Sequence, residues 1–165
     1  MRGLVRAKFC PPAEIILSEP QEVARTALCE ELGIFVTAEN AEVAEQAEVI
    51  LIGVKPGVIL DVVTGIAAPT RDKLVISLPA GVRVARMEEK GKARFMRAMR
   101  NTPAAVCQAA TAIARGKRTT KDDFERAREI FLSIGTVVEV DEAQIDPVTA
   151  LAGSGPEFGY TMIEA

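Results

Sequence analysis

Six residues decide what kind of sheet this chain can build. Val49-Ile50-Leu51-Ile52-Gly53-Val54 has no polar side chain at odd or even positions, so a strand made from it keeps no face for water. A surface strand would alternate polar and apolar residues. The run falls far short of the roughly 18 residues of a membrane span, and Lys55-Pro56 closes it. A strand buried on both faces needs helices on both sides, and therefore crossover connections.

The flanking sequence supplies them. Ile15-Ile16-Leu17-Ser18 reads as a strand after the Pro11-Pro12 break. Gln21 to Leu32 is helical, with Val23, Ala27, Leu28 and Leu32 on one face and Gly33 as its C-cap. Ile34-Phe35-Val36 is a short strand, and Asn40 is the expected N-cap of a helix from Ala41 to Gln46. Pro56 opens the next helix at its first turn, with Leu60, Val63 and Ile66 as its stripe. Strands over Leu74–Leu78, Arg94–Ala98, Ala110–Ala114 and Thr136–Val140 follow, with helices over Val84–Glu89 and Lys121–Ile134. After Asp141 the strand signal stops. Ile145 to Ala165 is helical, with a break at Gly153–Pro156 where proline disfavours helix in the residue before it. The expectation is an α/β, doubly wound, mostly parallel sheet over residues 1–141, then the beginning of an all-helical segment over 142–165.

Composition narrows the chemistry. With no histidine, the chain has no imidazole base, no Ser-His-Asp or Cys-His catalysis and no imidazole metal ligand. Twenty Lys+Arg against 23 Asp+Glu argue against a basic nucleic-acid surface. Cys10, Cys29 and Cys107 are scattered, so no disulfide framework or structural metal site is expected, only buried or idle thiols. The first ten residues lack a signal-peptide pattern and no run is long enough to span a bilayer, which points to a soluble cytoplasmic protein without a membrane partner.

Ligands of open parallel sheets sit beyond the carboxyl ends of the strands. Four polar or Gly/Pro segments directly follow a strand there: Ser18-Glu19-Pro20, Val54-Lys55-Pro56, Leu78-Pro79-Ala80-Gly81 and Met99-Arg100-Asn101-Thr102-Pro103. One would be ordinary connection chemistry; four suggest a crevice. Their order, together with Asn101-Thr102-Pro103-Ala104 and Thr149-Ala150-Leu151-Ala152-Gly153-Ser154-Gly155-Pro156, resembles the pyrroline-5-carboxylate reductase family over essentially the whole chain.

The resemblance implies a Rossmann-like NAD(P)-binding domain over 1–141 and the start of a helical dimerisation domain over 142–165. It implies reduction of 1-pyrroline-5-carboxylate to L-proline. Cofactor contacts carried over are Ser18 and Asn40 toward the adenine ribose and Val54, Lys55, Pro56, Ala80 and Gly81 toward the nicotinamide. Asn101, Thr102, Thr149 and Ser154 are carried over as residues near the reacting atoms. Blander readings stay open beside these: a solvated Lys55, a simple turn at Ala80-Gly81, a capping Asn40 and a packing kink at Gly153–Pro156. Arg100, where bacterial relatives carry proline, and Arg97 are candidates to attract an anionic carboxylate or cofactor phosphate. The expected cofactor is NADP, with NAD as the alternative because Glu19 would repel a 2′-phosphate. No metal is expected, and imine reduction requires no protein nucleophile.

Members of that family also have an initial strand with a G-x-G-x-M-G turn and a long C-terminal helical domain that builds a homo-oligomer. Neither pattern occurs in these residues, so the expectation is a form truncated at both ends. The absent strand would lie between the Ile15 and Val49 strands, leaving a slot with two unpaired edges. Impaired activity and weak dimerisation follow as expectations. The alternatives are a non-catalytic remnant of such a reductase, or a related dehydrogenase acting on another imine or keto acid.

Overall fold

The two-sided apolar run becomes a strand of a sheet that is itself split in two. A computed structural model of the chain describes residues 1–164, with the side chains of residues 156 and 157 left out; the expected helix end at Ala165 lies outside the described residues. Strands β1 (Ile16–Ser18) and β2 (Phe35–Thr37) form a parallel pair of their own. A five-stranded sheet follows the order β3 (Val49–Ile52), β4 (Leu74–Ser77), β5 (Arg94–Arg100), β6 (Ala109–Arg115), β7 (Gly135–Glu139). The pairs β3–β4, β4–β5 and β6–β7 are parallel and β5–β6 is antiparallel. The sheet is mostly parallel, as expected. Among the described residues β1 pairs only with β2 and β3 only with β4, so each keeps one unpaired edge.

Eight α-helices are described: α1 (Arg2–Arg6), α2 (Glu22–Leu32), α3 (Asn40–Gln46), α4 (Ile59–Gly65), α5 (Val84–Glu88), α6 (Lys121–Leu132), α7 (Glu142–Val148) and α8 (Gly155–Glu164). Side-chain alternation on the strands sorts them into two layers. Ile50, Ile52, Val75 and Phe95 bury against Ala44 of α3, Ile59 and Val63 of α4, and Val84 and Met87 of α5. Leu74, Ile76, Met96, Ala98 and Ile113 bury against Leu4 of α1 and Ala127, Ile130 and Phe131 of α6. Val49 and Leu51 are only partly buried on that second face, which explains how a run without polar residues sits beside an open strand edge. Met1 packs both on this core and on the small cluster of Ile15, Leu32 and Ile34 under β1 and β2.

Local chemistry sets several boundaries. Gly33, in the left-handed conformation at φ 65°, ends α2. The apolar run stops being strand at Ile52, before Gly53 and Val54. Pro56 starts a 3-10 turn over Pro56–Val58, and α4 proper begins at Ile59. Thr120 and Asp123 form a reciprocal capping box at the start of α6. The expected break near Gly153–Pro156 is a π-helical turn over Thr149–Gly153 between α7 and α8, the wider ring that inserts an extra residue into a helix. No helix of the described residues is long and apolar enough to cross a membrane.

Candidate nucleotide site at the strand ends

Because β3, β4 and β5 run parallel, the segments that follow them leave the sheet at one edge. A cavity of about 240 Å³ opens there, lined by Gly53, Val54, Leu78, Pro79 and Arg100. A larger one, about 310 Å³, is lined by Ala67, Ala68, Arg71 and residues Glu88 to Lys92. It lies at the opposite ends of β4 and β5, where an open α/β sheet does not hold its ligand. The smaller cavity is therefore the candidate site.

Sequence reasoning named Val54, which lines this cavity. Lys55 and Pro56 come next in the chain and are exposed; the Lys55 carbonyl accepts from the Val58 amide at 3.1 Å, closing the turn. Ala80 and Gly81 are exposed directly after the lining residue Pro79. Gly81 has φ 75°, a conformation glycine adopts without Cβ strain. Asn101 follows the lining residue Arg100 and ties two strands together. Its Oδ1 accepts from the Ala110 amide at 2.9 Å, and its own amide donates to the Ala110 carbonyl at 3.4 Å. Thr102 is exposed and opens a 3-10 turn over Thr102–Val106.

Ser18 and Asn40 lie outside the cavity but meet one another: the Ser18 hydroxyl donates to Asn40 Oδ1 at 2.6 Å. Asn40 is not the cap of α3. Glu39 holds that position and Asn40 is the first helical residue, so its side chain is free to reach β1. Glu19 also departs from the simple picture of an open carboxylate. Its Oε1 accepts from the Gln21 amide at 3.0 Å, where it supports the start of α2. Sequence reasoning missed Arg25, whose Nη1 donates to the carbonyls of Glu19 and Pro20 at 3.0 and 2.8 Å. A basic residue one turn into the helix that follows β1 was the available signal.

Thr149 and Ser154 are not among the residues lining the cavity; they bracket the π-helical turn, where the Ser154 amide donates to the Thr149 carbonyl at 3.1 Å. The Thr149 hydroxyl donates to the Ile145 carbonyl at 2.7 Å, so toward a ligand it can only accept. A Cβ on Gly153 would overlap Met99 Cε of β5, so glycine lets this turn come down onto the sheet. Arg97 is not available as an anion receptor. It is 1% exposed and paired with Asp146 at 3.1 Å and Glu142 at 3.5 Å. Arg100, three residues on, points to the cavity instead. Of the thiols expected to be buried or idle, Cys29 is exposed and Cys10 and Cys107 are half-buried, all three unpaired.

A doubly wound sheet with its crevice at the carboxyl ends of β3, β4 and β5 has the Rossmann-like architecture of the NADP oxidoreductases. Residues 1–81 match the family described as NADP oxidoreductase, coenzyme F420-dependent. The chain is 41% identical to pyrroline-5-carboxylate reductase of Synechocystis, over 98% of its own length and 61% of the relative. It is 37% identical to that of Glycine max, over 99% of itself and 61% of the relative. The crystal structure of Plasmodium falciparum pyrroline carboxylate reductase with NADP bound superimposes with a TM-score of 0.90 at 25% identity, covering 99% of this chain and 60% of that one. The chain is similar to the pyrroline-5-carboxylate reductases over essentially all of its length, and it spans about 61% of the length of the curated relatives it matches.

Proposed function

We propose that this chain is the nucleotide-binding part of an oxidoreductase that reduces 1-pyrroline-5-carboxylate to L-proline with NADPH. Residues 1–141 form the nucleotide-binding unit and residues 142–165 begin a helical domain. The observation that carries the reading is the single edge at which Val54-Lys55-Pro56, Leu78 to Gly81 and Arg100-Asn101-Thr102 leave three parallel strands.

The residues present fit parts of the cofactor. Ser18, Asn40 and Arg25 offer a hydroxyl, an amide and a guanidinium at the end of β1, which suits the adenine ribose and a 2′-phosphate. The Arg25 cation favours NADP over NAD, offsetting the Glu19 carboxylate beside it. Val54, Lys55, Pro56, Ala80 and Gly81 would hold the nicotinamide side. No G-x-G-x-x-G segment occurs in the 165 residues, so backbone contacts to the pyrophosphate are not assigned to this chain.

When bound, the reduced nicotinamide supplies the hydride that adds to the imine carbon. A proton is then needed on the imine nitrogen. Asn101 commits its Oδ1 to Ala110, which leaves its Nδ2 protons to orient the substrate. Thr102 and Ser154 offer hydroxyls, and Thr149 offers an acceptor. Arg100 supplies a positive charge at the cavity for the substrate carboxylate. The setting is the cytoplasm, and these residues by themselves dimerise weakly.

The family match over residues 1–81, which leaves out Asn101, Thr102, Thr149 and Ser154, favours one second reading, a relative that binds the cofactor without turning over substrate. Titration with NADPH, followed by nicotinamide fluorescence and then by turnover of 1-pyrroline-5-carboxylate, separates the two. Saturable binding with slow turnover is expected. Binding alone would favour the second reading, and no response at millimolar NADPH would end both.

A further inference from the structure

Arg97 on β5 is the most deeply buried charged side chain of the described residues, 1% exposed. Its Nη2 donates to Asp146 Oδ1 at 3.1 Å, and its Nη1 lies 3.5 Å from Glu142 Oε1. Nη1 makes no hydrogen bond in the structure, nor does the buried Ser77 hydroxyl at the neighbouring register position of β4. A buried guanidinium with unsatisfied protons costs stability, and replacing such a cluster by apolar packing is often neutral or favourable. The use of a buried ion pair that physical chemistry best supports is to fix one arrangement among several apolar ones.

The cluster's connections say what is fixed. Glu142 and Asp146 stand four residues apart on α7, hence on one face, and that face also buries Ile145 against Met99, Ala112 and Ala114. Glu142 Oε1 accepts in addition from the Val84 amide at 2.6 Å, the first residue of α5, just beyond the Ala80-Gly81 turn. From α7 the chain runs directly into the Thr149–Gly153 π-turn. Apolar contacts alone would let α7 slide along small alanine side chains. The Nη2 bond to Asp146 and the 3.5 Å charge contact of Nη1 with Glu142 oppose that slide.

We infer that Arg97 is a positioning residue: by clamping Glu142 and Asp146 it fixes α7 on β5, and with it the Thr149–Ser154 turn that follows α7 and the start of α5 that Glu142 holds. This rests on the proposed function only for the identity of the ligand, since the clamp itself is independent of any cofactor.

The test is amide hydrogen exchange on the intact chain, with Asp146→Asn as the first variant, because Asp146 is 58% exposed and its replacement leaves the core packing alone. Exchange over residues 145–155 should rise about tenfold, while amides of β4 and β5 such as Val75 and Met96 keep their protection, the pattern of local rather than global opening. Asp146→Glu should retain the slow exchange. Arg97→Lys, which keeps the charge and loses the fork, should loosen residues 145–155 and the Val84 amide together. Unchanged exchange in Asp146→Asn would overturn the inference, and so would an equal rise in every strand, which is the signature of mere stability. NADPH titration of the same variants gives a second readout: apparent Kd should rise at least fivefold in Asp146→Asn and stay near wild type in Asp146→Glu. If the unmodified chain does not bind NADPH, the functional reading fails while the exchange result still decides the clamp.

Discussion

Removing the Asp123 carboxylate should destabilise the chain by about 3 kcal/mol, the sum of two separable losses. Asp123 is 4% exposed at the start of α6. Its Oδ2 accepts from the Thr120 amide at 2.9 Å and the Thr120 hydroxyl at 3.0 Å. Both carboxylate oxygens accept from Arg94, at 2.8 Å from Nε and 3.0 Å from Nη2. Asp123→Ala dismantles the capping box, a loss of about 1 kcal/mol. It also leaves the Arg94 guanidinium without its anion. Breaking a fully buried pair costs about 3–5 kcal/mol, but Arg94 is 30% exposed and still donates to the Asp72 carbonyl, so about 2 kcal/mol is the fair share. For a chain of this size the total corresponds to a Tm lower by about 6–12 °C. The pH dependence gives a sharper check. Burial by itself would push the Asp123 carboxyl up, but the bonds from Arg94 and Thr120 outweigh it and hold the group below its ordinary value. A carboxyl lowered by folding contributes stability that is complete above its unfolded value, about 3.9, and fades as pH falls through the lower folded one. Urea unfolding of the two proteins should therefore differ by the full amount at pH 7, with the gap narrowing only as pH falls below about 4 and on through the lower folded value. A loss under 1 kcal/mol at pH 7, or a gap that stays constant into acid, would refute the reasoning.

Three further outcomes follow from individual contacts. Gly135→Ala should cost about 2–3 kcal/mol by denaturant unfolding, because a Cβ there would overlap the Ala109 backbone carbonyl and amide across the β6–β7 pair; a change within error would mean that the two strands can part locally. Lys73→Met should cost about 1–2 kcal/mol, since its Nζ donates to the Ala44 and Glu45 carbonyls, both at 2.8 Å, near the C-terminal end of α3; Lys73→Arg should recover part of it. Under a thiol reagent near neutral pH, Cys29 should react first, being exposed. Burial, helped by Glu14, pushes the Cys10 thiol up, so Cys10 labelling before Cys29 would contradict that ordering.

The order of strands and helices was legible because period and burial agree wherever an element has one solvent side. Lys121 to Leu132 carries its charges on one face and Ala127, Ile130 and Phe131 on the other, and it folds as α6. The loops could be placed as well, since a run such as Val49 to Ile52 dictates parallel neighbours and therefore a common edge. What could not be read were contacts between side chains far apart in sequence. Asn40 passed for a helix cap because caps favour its residue type, yet its amide oxygen serves Ser18, 22 positions away. Arg97 passed for an exposed anion receptor because an arginine in a strand is more often outside than in. Only the approach of α7, 45 or more residues later in the chain, turns it inward, and nothing in the local pattern of β5 announces that partner.

The split sheet bears directly on how a nucleotide could be held. The groups proposed above for the adenine ribose stand on β1, α2 and α3, and those proposed for the nicotinamide stand at the ends of β3 and β4. No ladder hydrogen bond joins the two sets among the described residues. Their relative placement is left to helix packing: α3, which runs from β2 to β3 and is gripped at its C-terminal end by Lys73, and Met1 of the α1 segment, which touches both cores. Packing contacts constrain such a separation less sharply than backbone pairing does, because they tolerate small slides at little cost. For these residues taken by themselves, a ligand that engages both sets also has to hold the two parts in register as it binds, and that ordering subtracts from its affinity. A molecule reaching only the strand-end cavity meets no such penalty. The two sets should accordingly respond differently to any change that tightens α3 against the main sheet: contacts of the whole dinucleotide gain from it, while those of a nicotinamide mononucleotide fragment do not.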